Sequence, residues 1–249
     1  MLHRGLLSQS GQKVGLPNTD WAQRFKTLAE IARDPRLKAF YAAGAVPGDT
    51  LVEDTPLMAL DVETTGLAPA RDGMVSIGLV PMSLTCIRAS ASRHWLLKPR
   101  EPLGAESITI HGITHTQVQT APDLNEVLGD VLQAMAGHVL VVHCRDIERQ
   151  FLSAALQRRL GERIEFPVID TMELEARLYR SQRRGLMDWV LGRQPPQVSI
   201  RLADSRRRYG LPRYRPHHAL TDALASAELL QAQVAHRFTP DAPISALWC

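Results

Sequence analysis

Short apolar runs closed by turn residues alternate along this chain with longer stretches in which apolar residues recur every three or four positions. Leu57-Met58-Ala59-Leu60-Asp61-Val62 ends in Glu63 and the turn-forming Thr64-Thr65-Gly66, too short a run for a helix, and predicts a buried strand. Met74 to Val80 and His94 to Leu97 predict two more strands, spaced closely enough for an antiparallel meander. From Pro122 to Met135 the period lengthens, with Leu124, Val127, Leu128, Val131 and Leu132 on one side, and Gly137 ends the predicted helix. Val139 to His143 is wholly apolar up to its histidine, as in strands covered on both faces, and a helix follows Cys144. Val168-Ile169-Asp170 is another short run. A last helix opens around Pro216 to Asp222 and runs to about His236. Helix and parallel strand in alternation define an α/β class.

Before the first strand, residues 1 to about 17 lack periodicity and predict a loose tail. Asn18, Thr19 or Asp20 could cap a helix bearing Trp21, Phe25, Leu28 and Ala32 on one stripe, followed at Pro35 by a second helical piece ending in Phe40-Tyr41. Such a stripe is expected to pack on its own domain; the alternative is a docking surface for a partner or a second copy. The expected organisation is an N-terminal tail and helical extension over 1–50, one α/β domain over 51–239 and a C-terminal tail over 240–249.

Charge changes this picture in one region. The formal net charge is only +3, but 11 arginines fall between Arg177 and Arg215 against two acids, Asp188 and Asp204. A basic run is usually a solvated face; its other use is to contact phosphates. Gly185 to Leu211 predicts two short helices broken by Pro195-Pro196. Cys86, Cys144 and Cys249 are too dispersed for a zinc site or a disulfide framework and predict reduced, structural thiols. No apolar run is long enough to cross a bilayer, and a cytoplasmic location with no membrane partner is expected.

The candidate chemistry begins at the first strand. Alternate strand residues share a face, so Asp61 and Glu63 project together while Val62 points away. Alone, such a pair would ordinarily be two solvated acids. Held at the end of a buried strand they repel one another, unless a hard divalent cation neutralises them. Further along, Glu148 and Asp146 both stand in a helix's first turn, and His217 and His218 both precede Asp222. Spacing alone would pair His218 with Asp222 in a helix, but Pro216 places both histidines at or before the first turn.

Asp61-Val62-Glu63-Thr64-Thr65-Gly66 resembles the first motif of the DEDD (DEDDh-type) 3′-5′ exonuclease superfamily, which includes the proofreading epsilon subunit of bacterial DNA polymerase III and ribonuclease T. His143-Cys144-Arg145-Asp146-Ile147-Glu148-Arg149-Gln150-Phe151-Leu152 is similar to its second motif, degraded. Phe151-Leu152 sets a register in which Glu148, one methylene longer than the family's aspartate, takes the metal-binding place; Asp146 is the rival. His217-His218-Ala219-Leu220-Thr221-Asp222 resembles the third motif and selects His217.

The resemblance covers roughly residues 55–238. It implies a ribonuclease H-like fold, a mixed central sheet flanked by helices, and two divalent ions, Mg²⁺ or Mn²⁺, held by Asp61, Glu63, Glu148 and Asp222. It further implies His217 as general base, Thr64, Thr65, Gly66 and Leu67 as the pocket for the terminal nucleotide, and Asp170 as a structural acid. His111, in the segment Ile110-His111-Gly112, is implied either as a substrate contact or as a structural residue at a helix start. The implied partners are nucleic acid with a free 3′ end and, beyond it, a polymerase or a second copy through the N-terminal helices. Single-stranded DNA is the favoured substrate. An RNA-trimming enzyme and a binding module weakened by Glu148 are the alternatives, and the retained general base favours an enzyme.

Overall fold

The computed structural model describes residues 19–101, 105–181 and 198–248. The expected N-terminal tail, Arg183-Arg184, Pro195-Pro196 and Cys249 therefore lie outside the described residues.

Strand β1 (Leu57–Thr64) is central. It pairs antiparallel with β2 (Met74–Met82), which pairs antiparallel with β3 (Arg93–Leu96); on its other side it runs parallel to β4 (Val139–Val142), itself parallel to β5 (Val168–Asp170). The order β3-β2-β1-β4-β5 is the mixed sheet expected from the meander followed by helix-strand alternation. β4 is completely buried, as its unbroken apolar run requires.

In the N-terminal region, the Asp20 side chain accepts the Gln23 N–H at 3.0 Å and starts α1 (Trp21–Ile31); Asp34 caps α2 (Pro35–Ala42), with Pro35 in its first turn. Phe25 packs against Phe40 and Tyr41 at ring separations of 5.4 and 5.2 Å. These rings join the main core with the β1 and β4 side chains. Glu162 accepts the backbone N–H groups of Arg33 and Asp34, and Arg24 binds Glu165. The aromatic stripe is thus consumed by the protein's own domain rather than left as an apolar docking face.

Beyond β3 come α3 (Ala105–His111), α4 (His115–Gln119) and α5 (Leu124–Met135). A capping box between Asp123 and Glu126 starts α5 two residues later than Pro122. Next are α6 (Arg145–Leu160), α7 (Thr171–Ser181), α8 (Leu202–Arg208) and α9 (Ala219–Arg237). Of the two helices expected between Gly185 and Leu211, α8 is seen and the remainder falls outside the described residues. The expected C-terminal tail packs inward: Ile244 and Leu247 are fully buried, and Trp248 bridges to Ile169 beside β5.

Cys86 and Cys144 are free, as expected, but Cys86 is exposed rather than structural. No described helix is long and apolar enough to cross a membrane.

Helix α9 lies across β1, β2 and β4. Its approach depends on Gly78 in the middle of β2, directly opposite Asp61. A Cβ on Gly78 would stand 2.5–2.6 Å from the backbone of Ala219 and Leu220, so the first turn of α9 rests on bare strand backbone. A glycine inside an otherwise apolar strand was the legible signal for this close approach.

Candidate active site

Asp61 and Glu63 leave β1 on one face, and Val62 is buried on the other. The β1/β2 register shifts between Glu63 and Thr64, where the strand turns away. Asp222 comes from the first turn of α9, carried over β1 by the Gly78 contact. Donor oxygens of Asp61, Glu63 and Asp222 all lie within 4.8 Å of one another. Burial and the charges of Asp222, Glu148 and Glu63 push the Asp61 carboxyl well above the usual carboxylate range. Burial, with Asp222 adding, pushes Glu63 up to about 8. Asp222 is raised as well, by burial, although the His217 N–H, which donates to its Oδ2 at 2.7 Å, and the Tyr214 hydroxyl both hold it down.

The second motif separates its two candidates cleanly. Glu148 is 1% exposed and its Oε2 has no hydrogen-bond partner among the described residues, whereas Asp146 is exposed on the same turn of α6. Burial and the neighbouring Asp170 and Asp146 charges raise the Glu148 carboxyl well above normal. Glu148 lies outside the close trio, but its charge acts on Asp61. Asp170 is engaged differently: its oxygens accept the N–H groups of Cys144, Arg145 and Met172, each at 3.0 Å, tying the starts of α6 and α7 to β5. We expect Glu148→Ala to lower turnover by at least about 100-fold, on the scale of a lost transition-state charge contact, and Asp146→Ala to stay within about twofold. The reverse ranking in steady-state assays would reassign the motif.

His217 is exposed and has a left-handed backbone (φ 69°), uncommon for a residue with a Cβ. That turn aims its N–H at Asp222. Its side chain is an electrostatic neighbour of both Asp222 and His111, so it sits at the rim of the acids. His218 caps α9 and its ring packs against His94, with centroids 4.8 Å apart.

His111 ends α3 rather than starting a helix. It is buried, and its Nδ1 accepts the Ile113 N–H. Its Nε2 therefore donates to Ser107 Oγ at 2.6 Å, and that hydroxyl donates to the Thr64 carbonyl. The ring anchors the end of β1. Beyond it, Thr64 Oγ1 donates to the Gly66 carbonyl and Thr65 pairs with Gly73, while Leu67 is partly exposed. A Cβ at Gly66 would collide with the Asp72 carboxylate, which accepts the Ala68 N–H and closes the turn.

Sequence reasoning missed Tyr214 and Arg206. Tyr214, half-buried, is an electrostatic neighbour of Asp222, and burial together with that acid's charge raises its phenol pKa. The buried Arg206 guanidinium lies over its ring at 5.0 Å. No local periodicity marks either role, because both depend on the path of the segment between α8 and α9.

Acids gathered at the end of the central strand of a mixed sheet, with a histidine at their rim, form a donor set suited to hard divalent cations. The chain belongs to the RNase_T exonuclease family, whose model, described as exonuclease, matches residues 58–230. A DNA polymerase III PolC-type protein of Thermotoga petrophila is 28% identical over 181 residues, covering 73% of this chain and 12% of that protein. A DNA polymerase III subunit epsilon-like protein of Rhodobacter capsulatus is 30% identical over 187 residues, 73% of this chain and 25% of the relative. The chain thus spans a small part of the length of these curated relatives. Among solved structures, the nuclease domain of 3′hExo, a DEDDh family member bound to rAMP, matches with a TM-score of 0.60 at 18% identity, over 73% of this chain and 92% of that one.

Proposed function

We propose that this chain is a cytoplasmic, metal-dependent 3′-5′ exonuclease that releases nucleoside 5′-monophosphates from single-stranded DNA, in proofreading or repair. The observation that carries the reading is the convergence of Asp61, Glu63 and Asp222 within 4.8 Å beside the buried, unpartnered Glu148 Oε2. Carboxylate oxygens are the donors that hard cations prefer, and an acid left this deep without a partner fits a cation site. Asp61, Glu63, Glu148 and Asp222 would hold two ions, Mg²⁺ or Mn²⁺. When bound, such ions stabilise charge on a phosphoryl group and lower the pKa of water.

The chain's own groups supply the rest. His217, on the exposed rim, takes a proton from the attacking water on a ring nitrogen. The water oxygen bonds to phosphorus, the P–O3′ bond breaks, and the 3′-oxygen leaves with the bonding pair and takes a proton from solvent. Thr64, Thr65, Gly66 and Leu67 receive the terminal nucleotide, on a turn fixed by the His111–Ser107–Thr64 relay. The PolC-type and epsilon-like relatives make a polymerase the proposed partner.

The test is degradation of 5′-labelled single-stranded DNA and RNA of one sequence with Mg²⁺ or Mn²⁺. A metal-dependent ladder shortening from the 3′ end, faster on DNA, is expected. A faster RNA ladder would make the enzyme an exoribonuclease. Retained binding without cleavage would make it a binding module.

The raised acids also set a pH signature for metal-free protein. A carboxyl whose folded pKa exceeds its unfolded value keeps its proton longer in the fold, so its stability contribution is lost as pH rises from about 4 toward the folded pKa, about 8 for Glu63. The half-buried His143, lowered to about 4 mainly by loss of solvent, contributes oppositely, but only below about pH 6.5. Between pH 6.5 and 8 the acids therefore dominate. The chelated protein should lose several degrees of Tm over that interval, Glu63→Gln should lose less, and Mg²⁺ or Mn²⁺ should restore more at pH 8 than at 6.5. A Tm that rises over the interval in chelator would contradict the arrangement.

A further inference from the structure

The arginine-rich region divides sharply once folded. Arg206 is 2% exposed, donates to the Ala225 and Pro212 carbonyls and pairs with Glu228. Arg208 binds Glu175 and the Ser199 carbonyl, and Arg207 pairs with Asp204 at 3.1 Å. These cations serve the fold. Arg213 and Arg215 differ: both are exposed, and neither has a partner among the described residues.

They stand in the segment 211–216, outside helix and strand, that joins α8 to His217. Pro212 and Pro216 restrict φ at its two ends, and a residue before proline, here Arg215, is held extended. Arg206 fixes the path by bonding the Pro212 carbonyl and covering the Tyr214 ring, while the Tyr214 phenol is an electrostatic neighbour of Asp222 and Asp61. Tyr214 therefore faces the acids. Along an extended chain the neighbours of an inward residue point the other way, so Arg213 and Arg215 share the outer face, two residues short of His217.

We propose that Arg213 and Arg215 form a phosphate-binding strip, continuous with His217, for the internucleotide phosphates of single-stranded nucleic acid on the 5′ side of the scissile bond. The proposal rests on the exonuclease reading. A strand whose 3′-terminal nucleotide is being removed has no phosphate beyond the scissile one, so every other phosphate lies to the 5′ side. The phosphates on that 5′ side lie away from the acids that would hold the ions, and cations at the rim are placed to pair with them. Guanidinium groups free of protein partners can grip phosphate oxygens with two donors each.

The test compares the double variant Arg213→Ala, Arg215→Ala with a double variant of equal charge change, Lys26→Ala, Lys38→Ala, on the exposed side of α1 and α2. Two substrates separate strand binding from chemistry: a 5′-fluorescein oligodeoxynucleotide, and the p-nitrophenyl ester of thymidine 5′-monophosphate, which has no 5′ neighbour. The arginine variant should raise KM for the oligonucleotide about tenfold or more with kcat within about twofold, the scale of two lost phosphate contacts at moderate salt. The slope of log kcat/KM against log salt should become shallower by about 1.4, from about 0.7 per single-strand contact. Hydrolysis of the nitrophenyl ester should be unchanged, and the Arg213→Lys, Arg215→Lys variant should regain most of the lost affinity. An arginine variant indistinguishable from the lysine control on the oligonucleotide overturns the strip, and so does a parallel loss on the nitrophenyl ester, which would show that the segment only builds the site. Wild type that cleaves neither substrate sinks the exonuclease reading instead. Binding of the fluorescein oligonucleotide then decides the strip, and equal affinities in the two double variants would refute it.

Discussion

Asp61→Asn is expected to reduce hydrolysis by at least about 10³-fold while making the metal-free protein more stable at pH 8. The first effect follows because Asp61 is the acid on which the other three charges act, so its loss would remove a central carboxylate from the set that would hold the ions. Metal stabilisation of transition-state charge contributes several kcal/mol, and each 1.36 kcal/mol is about tenfold in rate. The second effect separates a site from a structural acid. Burial and the charges of Asp222, Glu148 and Glu63 all disfavour ionisation of Asp61, a neutral amide there escapes that penalty, and a gain of about 1 kcal/mol raises Tm by roughly 2–4 °C in a protein this size. Rates on a labelled oligonucleotide, with melting in chelator, read both. Retained activity, or a lower Tm in chelator at pH 8, would show that the acids are not a cation-binding centre.

Gly78→Ala should be the most damaging change at a residue that touches no substrate. The new methyl would meet the backbone of Ala219 and Leu220 at 2.5–2.6 Å, and neither the sheet interior nor a helix backbone yields as a flexible side chain does. The start of α9 would move off the sheet by about an ångström, carrying Asp222 and the His217 N–H away from Asp61. Overpacking of this kind costs about 1–3 kcal/mol, and a misplacement of that size lowers rate about 100-fold. Circular dichroism melting and steady-state rates measure the two parts, and wild-type activity in a normally folded variant would refute the role of this contact. Gly73, whose nearest obstacle is the Glu101 carboxylate, is a contrasting position because a side-chain end can swing aside.

The candidate site has an uneven relation to the chain's linear pattern. Asp61 and Glu63 were legible together because the two-residue period of a strand puts them on one face whatever surrounds it. The start of α9 was legible from Pro216 and the following apolar spacing. Resemblance added the choice of His217 and Glu148, and the fold gives each a definite place: Glu148 is buried facing Asp61 while Asp146 is exposed, and His217 lies at the acid rim while His218 packs on His94. The alternative that put His111 at a helix start failed although the sequence carried the opposite signal: Gly112, left-handed at φ 71° directly after it, marks a helix end.

Local periodicity and turn residues by themselves determined the strands, the α/β class, the helical extension and the shared face of Asp61 and Glu63, since each depends on neighbours a few residues away. Tertiary structure alone decided how Asp61 meets Asp222 across 161 residues of chain, through a glycine on a third segment, and which arginines are spent on the fold. It also decided that the C-terminal residues Ile244 and Leu247 are core. Those outcomes depend on volume exclusion and charge pairing between distant segments, and no short-range pattern encodes them. Arg206 and Arg213 are chemically alike in the sequence, and only the positions of Glu228, Ala225 and Tyr214 in space make one a buried strut and leave the other free at the rim of the site.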